Sequence, residues 1–279
     1  MTELQLAALW WRKLYAELGN SACDATRGPL GKLSSTRTDA LRRLFFTLLT
    51  ELPVDRLIEV GAHDAQVSKR FVQLKPEAKA FAYEGNAALC ERALARGLPR
   101  SVTLTNCAVG AISGSVTFFV PRDERLLIWG STRRRAGYDN VEEVVVPMTT
   151  LEQIGQSIPM SGVGRHIGLW IDVEGSALDV LIGGETLLRE RVATAYLEVN
   201  DASVYDGAAT SLEILALLLK HRFIPIARDN QYSDAWNLLI AHEECYCAAQ
   251  ETIAKWHYKN AGIAAAVDWL VANATSPDN

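Results

Sequence analysis

Asp172 and Glu174 are the residues of this chain best placed for acid–base chemistry. One residue separates them, and Asp172 directly follows the apolar residues 169–171. An apolar run of this kind, without a 3.6-residue repeat, predicts a strand buried on both faces of a parallel sheet. Because ligands bind at the carboxyl ends of such strands, both carboxylates are expected to face a cleft. From there a carboxylate can accept a proton from a bound hydroxyl group.

A second set of chemical groups accompanies two strands predicted earlier in the chain. Glu59 lies within the first strand, Gly61 lies at its exit, and Glu84 ends the second strand. The spacing from Gly61 to Glu84 matches that of the acid which binds ribose hydroxyls in Rossmann-type sites. The dinucleotide fingerprint G-x-G-x-x-G is absent, because residues 63 and 66 are not glycine. The missing pyrophosphate cradle argues against NAD and favours a nucleoside ligand without phosphates, of which S-adenosylmethionine is the commonest.

The elements that must position these groups alternate between strands and helices after Pro53. An amphipathic helix over 3–18 and a second helix with Thr38 as its N-cap precede this region. The later pattern predicts strands over 56–60, 78–84, 101–109, 167–173 and 194–199, a hairpin of 115–120 with 141–146, and final strands over 223–227 and 236–241. Helices are predicted over 65–74, 86–96, 177–190, 211–221 and 243–272.

This alternation predicts an α/β fold with a doubly wound, mostly parallel, seven-stranded Rossmann-like sheet. The last two strands should be mutually antiparallel, because the loop between them is too short for a helical crossover. We divide the chain into an N-terminal helical extension, residues 1–52, and a ligand-binding domain, residues 53–279. The extension is expected to serve as a substrate lid or as a dimer contact, unless it docks on its own domain.

Composition limits the partners and the compartment of the protein. The chain has 279 residues, a net charge of −5 and a pI of about 5.6, so no global basic field attracts nucleic acid. Its five cysteines lack a C-x-x-C spacing and fit reduced thiols. The first residues lack the pattern of a signal peptide, and no apolar run approaches the roughly 18 residues that span a bilayer. We therefore predict a cytoplasmic protein without membrane or nucleic-acid partners.

A set of short motifs, in their order and spacing, resembles the FkbM-type methyltransferases over roughly residues 55–200. The resemblance rests on Glu59-Val60-Gly61-Ala62, Tyr83-Glu84-Gly85-Asn86, Asn106-Cys107-Ala108-Val109-Gly110, Thr150-Leu151-Glu152, Ile171-Asp172-Val173-Glu174-Gly175 and Tyr196-Leu197-Glu198-Val199. It implies a class I methyltransferase fold. It also implies methylation of hydroxyl groups by S-adenosylmethionine, mostly on sugars, polyketides and related metabolites. The family usually has glycine where this chain has Ala65. A methyl group there is expected either to crowd the methionine end of the cofactor or to require a slightly different position of the loop.

The same resemblance assigns roles in cofactor binding. Glu84 would bind the ribose hydroxyls, and Gly61 would lie near the methionine moiety. Asn106 and Ala108 would line the adenine site, unless they serve packing alone. Three residues complete the cofactor-binding set: Glu59, Asp172, and Ser68, which is either a ligand of the methionine carboxylate at a helix N-terminus or an ordinary helix serine.

The catalytic candidates are Asp172, Glu174 and His63. Asp172 is expected beside the cofactor's amino group or the acceptor hydroxyl, or as an N-cap of the next helix. Glu174 has a structural link to a loop backbone as its alternative role, and His63 has a helix cap. Glu198 and His242 are further candidates for the base that takes the hydroxyl proton.

Several alternatives remain beside an O-methyltransferase acting on a small-molecule or carbohydrate acceptor. Ala65 favours a catalytically inactive methyltransferase-like binding module. The net negative charge of the chain disfavours a nucleic-acid methyltransferase. Asp172, Glu198 and Asn200 end neighbouring strands with oxygen atoms that suit Mg²⁺, but acids are common at such strand ends, so we predict no metal. Three arginines in the loop 129–138 either grip an anionic group of the acceptor or form a solvated charge run.

Overall fold

The computed structural model describes residues 30–159, 162, 164–200, 204–229 and 235–261. The predicted helix over 3–18 and the last part of the predicted helix over 243–272 lie outside the described residues. The strands are β1 (Arg56–Val60), β2 (Lys79–Glu84), β3 (Val102–Asn106), β4 (Ala108–Val109), β5 (Gly114–Pro121), β6 (Val141–Thr149), β7 (Ile167–Ile171), β8 (Val192–Asn200), β9 (Phe223–Arg228) and β10 (Ala235–His242). The helices are α1 (Leu30–Glu51), α2 (Gln66–Leu74), α3 (Ala87–Ala95), α4 (Leu151–Ser157), α5 (Ala177–Ile182), α6 (Glu185–Glu190), α7 (Ser211–Lys220) and α8 (Glu243–Ala261).

The main sheet has seven strands in the order β3-β2-β1-β7-β8-β10-β9. All neighbouring strands from β3 to β8 pair in parallel, whereas β10 is antiparallel to both β8 and β9. This confirms the doubly wound α/β prediction and the antiparallel final pair. The strand order reverses between β1 and β7, and at such a switch point an open α/β sheet has its ligand crevice.

The exits of β1 and β7 are fixed against each other by backbone contacts. Every residue of β7 is buried, as expected for a central parallel strand. The Asp172 backbone N–H donates to the Val60 carbonyl at 3.0 Å. Gly61 follows with φ of +76°, and a Cβ placed there would lie 1.7 Å from the Asp172 carbonyl oxygen. The two strand ends can therefore meet only because residue 61 has no side chain.

Replacing Gly61 with Ala should lower the free energy of unfolding by about 2 to 5 kcal/mol, the sum of left-handed backbone strain and overpacking. Gly97→Ala is the matched control. Gly97 has φ of +81°, and a Cβ there would meet nothing within 4 Å. The control should therefore lose only about 1 to 2 kcal/mol. Urea denaturation measures both values, and equal losses would contradict the close approach at Gly61.

A second, three-stranded sheet, with the order β4-β6-β5, stands beside the carboxyl ends of the main sheet. Its β5 and β6 pair antiparallel from Gly114↔Met148 to Pro121↔Val141, which confirms the predicted hairpin. A 3₁₀ helix, Glu124–Trp129, lies in the connection between the two strands. We refer to residues 118–135 as the hairpin wall.

Three predicted elements differ from the structure. Helix α1 begins at Leu30, so Thr38 lies inside it, 7% exposed, and is not an N-cap. The predicted strand over 101–109 is divided between β3 and β4, which belong to different sheets. The predicted helix over 177–190 is interrupted at Gly183 and Gly184. A Cβ on these glycines would lie 2.1 Å from the Gly110 carbonyl oxygen and 2.4 Å from the Leu151 Cβ, respectively.

Helix α1 packs against the main domain. Its residues Phe45, Leu48 and Leu49 are fully buried in a hydrophobic cluster that includes Trp170 and Tyr196 of the sheet. The two sheet rings are stacked, with their centroids 3.9 Å apart. The second half of the N-terminal extension therefore contributes to the domain core, whereas a role of the extension as lid or dimer contact stays a prediction. Among the described residues, no helix has both the length and the apolar character needed to cross a bilayer.

Candidate active site

A cavity of about 590 Å³ opens at the carboxyl ends of β1, β2, β7 and β8. The hairpin wall closes one side of it, and helix α1 reaches it through Arg42. Predicted site residues that line this cavity are Gly61, His63, Glu84, Ala108, Asp172, Glu174 and Glu198. The sequence thus identified strand ends that converge on one space.

Glu84 has its carboxylate oriented by two backbone donors. The His63 N–H donates to Oε2 at 2.7 Å and the Asn86 N–H to Oε1 at 2.8 Å. Burial raises the pKa of the Glu84 carboxyl, while both backbone hydrogen bonds favour its charged form. A carboxylate held in this way can accept hydrogen bonds from a diol without first changing its rotamer.

His63 belongs to the same loop, with φ of +52°. Its ring Nδ1 lies 3.4 Å from Asp64 Oδ1, and its side chain is 45% exposed. The imidazole is therefore accessible from the cavity, while the backbone of the same residue holds Glu84.

Three predicted cofactor-binding residues lie outside the cavity lining. Glu59 is buried beneath α2, where its Oε2 accepts from the Ser68 backbone N–H at 2.8 Å, and burial raises its pKa to about 7. Ser68 is fully buried in the same place. Asn106 donates through Nδ2 to the carbonyls of Glu84 and Gly85, at 2.8 and 3.1 Å. These side chains shape the loops that carry Gly61 and Glu84, so their contacts are structural.

Ala65 adopts the left-handed conformation, with φ of +58° and ψ of +36°, immediately before α2. This backbone geometry explains why a glycine is suited to the position. The Ala65 methyl group is fully buried in the hydrophobic cluster on the α1 side of the sheet and does not line the cavity. The expected crowding of the methionine end of the cofactor is therefore not seen.

An apolar pocket lies on the β2 side of the cavity. Ala108, Leu89 and Phe118 line it. A Cβ on Gly85 would lie 2.5 Å from the ring of Phe118, so the glycine after Glu84 lets this ring approach the strand end. A flat apolar slot beside an oriented carboxylate can hold a planar base next to its ribose.

An acidic cluster lies on the β7 and β8 side, formed by Asp172, Glu174 and Glu198. One carboxylate oxygen of each residue lies within 4.8 Å of the corresponding oxygens of the others. Burial, followed by the charge of Asp172, raises the pKa of Glu174 to about 7. Burial and the charges of Asp172 and Glu174 raise the pKa of Glu198 well above its ordinary value. The predicted alternative for Asp172 fails, because Ser176 occupies the N-cap of α5.

Glu174 is held in place from three directions. Its backbone has φ of +51°, and its carbonyl accepts from Ser131 Oγ at 2.7 Å. Its Oε2 accepts from the Tyr205 hydroxyl and lies 4.0 Å from Arg135 Nη1. The structural link predicted as the alternative role of Glu174 therefore exists through the backbone, while the carboxylate still faces the cavity.

Arg135 and Tyr205 are site residues that the sequence analysis did not assign to the cluster. Arg135 Nη1 donates to the Tyr205 hydroxyl at 2.7 Å, and its guanidinium carbon lies 4.3 Å from the centroid of Trp129. The sequence signal for Arg135 was the run of three arginines at 133–135, and these three side chains make different contacts. Arg133 fastens the wall to Asp179 and to the Gly207 carbonyl, and Arg134 pairs with Glu143 on the exposed side.

His242, predicted as a candidate base, lies outside the cavity lining. It ends β10, which runs antiparallel to its neighbours, so its carboxyl end lies at the opposite edge of the sheet. The ring is fully buried against Phe223, and burial lowers its pKa to about 4. His242 is therefore a neutral core residue.

The chain is similar to several known methyltransferases. Residues 59–225 match the model of the Methyltransferase FkbM domain. The 2-O-methyltransferase NoeI of Sinorhizobium fredii is 25% identical over 187 residues, which are 61% of this chain and 73% of NoeI. Among solved structures, the magnesium protoporphyrin IX methyltransferase of Synechocystis PCC 6803, with bound SAM, is 10% identical and covers 87% of this chain and 98% of its own, with a TM-score of 0.43. The O-methyltransferase TomG of Streptomyces achromogenes is 11% identical and covers 73% of this chain and 80% of its own, with a TM-score of 0.39.

Proposed function

The chain belongs to the FkbM methyltransferase family, and on that premise we propose that it methylates a hydroxyl group of a sugar, polyketide or related metabolite with S-adenosylmethionine. One observation carries this proposal. A single cavity contains both an oriented carboxylate suited to a ribose, Glu84, and an acidic cluster suited to a hydroxyl acceptor. The curated relative NoeI, a 2-O-methyltransferase, supports the choice of oxygen as the methyl acceptor.

The cofactor half of the cavity is formed by residues at the exits of β1, β2 and β4. Glu84 accepts hydrogen bonds from the ribose hydroxyls, and Ala108, Leu89 and Phe118 enclose the adenine. Gly61 lies beside the methionine part, at the exits of β1 and β7, where its missing side chain lets the two strand ends meet. When bound, S-adenosylmethionine supplies an electrophilic methyl group.

The acceptor half is formed by the ends of β7 and β8. Here the protein must orient a hydroxyl group and take its proton as the oxygen is methylated. We assign proton acceptance to Asp172, whose backbone is fixed to β1 and whose carboxylate faces the cavity. Glu174 orients the acceptor from the neighbouring position, and His63 is the second candidate for the base.

The inactive binding module is disfavoured as an alternative. Ala65 was its supporting feature, and the Ala65 methyl group does not reach the cavity. A nucleic-acid acceptor is disfavoured by the acidic lining, since phosphates would approach Asp172, Glu174 and Glu198.

Titration of the purified protein with S-adenosylmethionine tests the first step. Calorimetry should detect one cofactor per chain, and incubation with methyl-labelled cofactor and a panel of sugars and polyketides should transfer label to oxygen. Absence of binding at millimolar cofactor would overturn the proposal. Binding without transfer to any hydroxylated compound, together with transfer to amines or thiols, would overturn the choice of acceptor.

A further inference from the structure

The acidic cluster has the spacing of a cation site. One oxygen from each of Asp172, Glu174 and Glu198 lies within 4.8 Å of the others. Oxygen ligands lie about 2.0 to 2.6 Å from Mg²⁺ or Ca²⁺, so two ligands on opposite sides of one ion are about 4 to 5 Å apart. The three carboxylates can therefore share one ion without backbone movement.

A second observation comes from Asn200, two residues after Glu198 on β8. Residues at this spacing lie on the same face of a strand. The Asn200 side chain lines the cavity, is only 5% exposed, and makes no hydrogen bond to any residue within the described ranges. A carboxamide without a protein partner leaves its oxygen available to a ligand in the cavity. Its oxygen is a neutral ligand of the kind that completes magnesium and calcium sites.

The charges around the cluster need compensation. Three carboxylates face one another, and the neighbouring cation, Arg135, lies 4.0 Å from Glu174 and is also bonded to Tyr205. Arg42 reaches the cavity from α1. These two guanidinium groups balance at most two of the three negative charges. The repulsion among three carboxylates with oxygens within 4.8 Å of one another is therefore only partly offset, and a bound cation would remove the rest.

We propose that Asp172, Glu174, Glu198 and the carboxamide oxygen of Asn200 bind one divalent cation of the Mg²⁺ or Mn²⁺ class. This replaces the prediction of no metal, which considered strand-end acids without knowing their separation. An octahedral ion held by four protein oxygens keeps two positions for water or for hydroxyl groups. That these hydroxyls belong to the methyl acceptor rests on the proposed function, whereas cation binding itself does not.

Titration of the chelator-treated protein with Mn²⁺ tests the site without cofactor or acceptor. Calorimetry and the loss of the free Mn²⁺ resonance should both report one ion per chain, displaced by excess Mg²⁺. Glu198→Gln should weaken Mn²⁺ binding by more than about tenfold, since loss of an outer partner alone costs that much in metal sites. Asn200→Ala provides a second variant that keeps all three carboxylates and should also weaken binding.

Glu143→Gln is the matched control, because Glu143 is an exposed acid paired with Arg134 outside the cavity. It should bind Mn²⁺ as the parent does, and thermal melts should show all variants folded. Two results would overturn the proposal: no binding at millimolar Mn²⁺, or binding that Glu198→Gln and Asn200→Ala leave unchanged. The first result, with cofactor binding intact, would mean that protons neutralise the cluster. It would leave the methyltransferase assignment standing.

Discussion

Asp172→Asn is expected to lower kcat by about 100- to 10,000-fold, the range typical for loss of a positioned general base. The amide keeps the size of the side chain and the backbone bond from Asp172 N–H to the Val60 carbonyl, but it cannot accept the hydroxyl proton. The affinity for S-adenosylmethionine should stay within about threefold, because the ribose carboxylate lies on another strand. Single-turnover transfer to the acceptor found in the panel measures the first effect, and calorimetry measures the second.

Asp139→Asn provides the control for this variant. Asp139 lies in the loop between β5 and β6, and its side chain is 95% exposed. The same chemical change there should leave kcat unaltered. If Asp172 acts only as a cation ligand, saturating Mn²⁺ should restore most of the lost activity in Asp172→Asn. If it accepts the proton, turnover should stay low at every metal concentration. Full activity of the variant without added metal would contradict both roles.

Glu84→Gln should weaken S-adenosylmethionine binding by about 10- to 100-fold, since hydrogen bonds to a charged group contribute roughly 1.5 to 3 kcal/mol. The substitution weakens two sets of hydrogen bonds. Its amide group cannot receive both backbone donors, the N–H groups of His63 and Asn86, and the ribose hydroxyls lose a charged acceptor. Calorimetric titration with S-adenosylmethionine and with S-adenosylhomocysteine gives the two dissociation constants.

Both ligands should be affected equally, because they share the ribose and differ in the methyl group. Glu91→Gln on α3 is the control, as Glu91 is exposed and close in sequence. A loss confined to S-adenosylmethionine would place Glu84 at the sulfonium and contradict the assignment to the ribose.

The sheet was predictable from the sequence because its central strands have an unambiguous signal. The apolar run before Asp172 and the alternation of strands and helices after Pro53 are each compatible with few folds other than a parallel α/β sheet. In such a sheet the carboxyl ends of the strands lie at one edge. Glu84, Asp172 and Glu198 were found in this way. The distances between their carboxylates could not be predicted, since they depend on the register of β7 and β8, and the prediction of no metal was made without them.

Other site residues carry no local signal. Tyr205 and Arg42 come from segments far apart in the chain and meet the cavity only through tertiary packing. Glu59 and Ser68 were placed in the cofactor set because they lie in the first strand and at the start of the helix after it, but the side chain of Glu59 points beneath α2. Since alternate residues of a strand face opposite sides, one position decides between cavity and core. His242 was misplaced because the prediction of a mutually antiparallel final pair left open which of the two strands runs against the rest of the sheet.

The connection between β5 and β6 carries Trp129, Thr132 and Arg135 to the cavity as one uninterrupted stretch of chain. The two strands pair from Gly114↔Met148 to Pro121↔Val141, outside this loop, and Ser131 and Thr132 attach the loop to Glu174 and Ser176. On the proposed function, changes within 122–140 would alter the residues beside the acceptor and leave Gly61 and Glu84 in place. The choice of acceptor would then be able to change independently of cofactor binding.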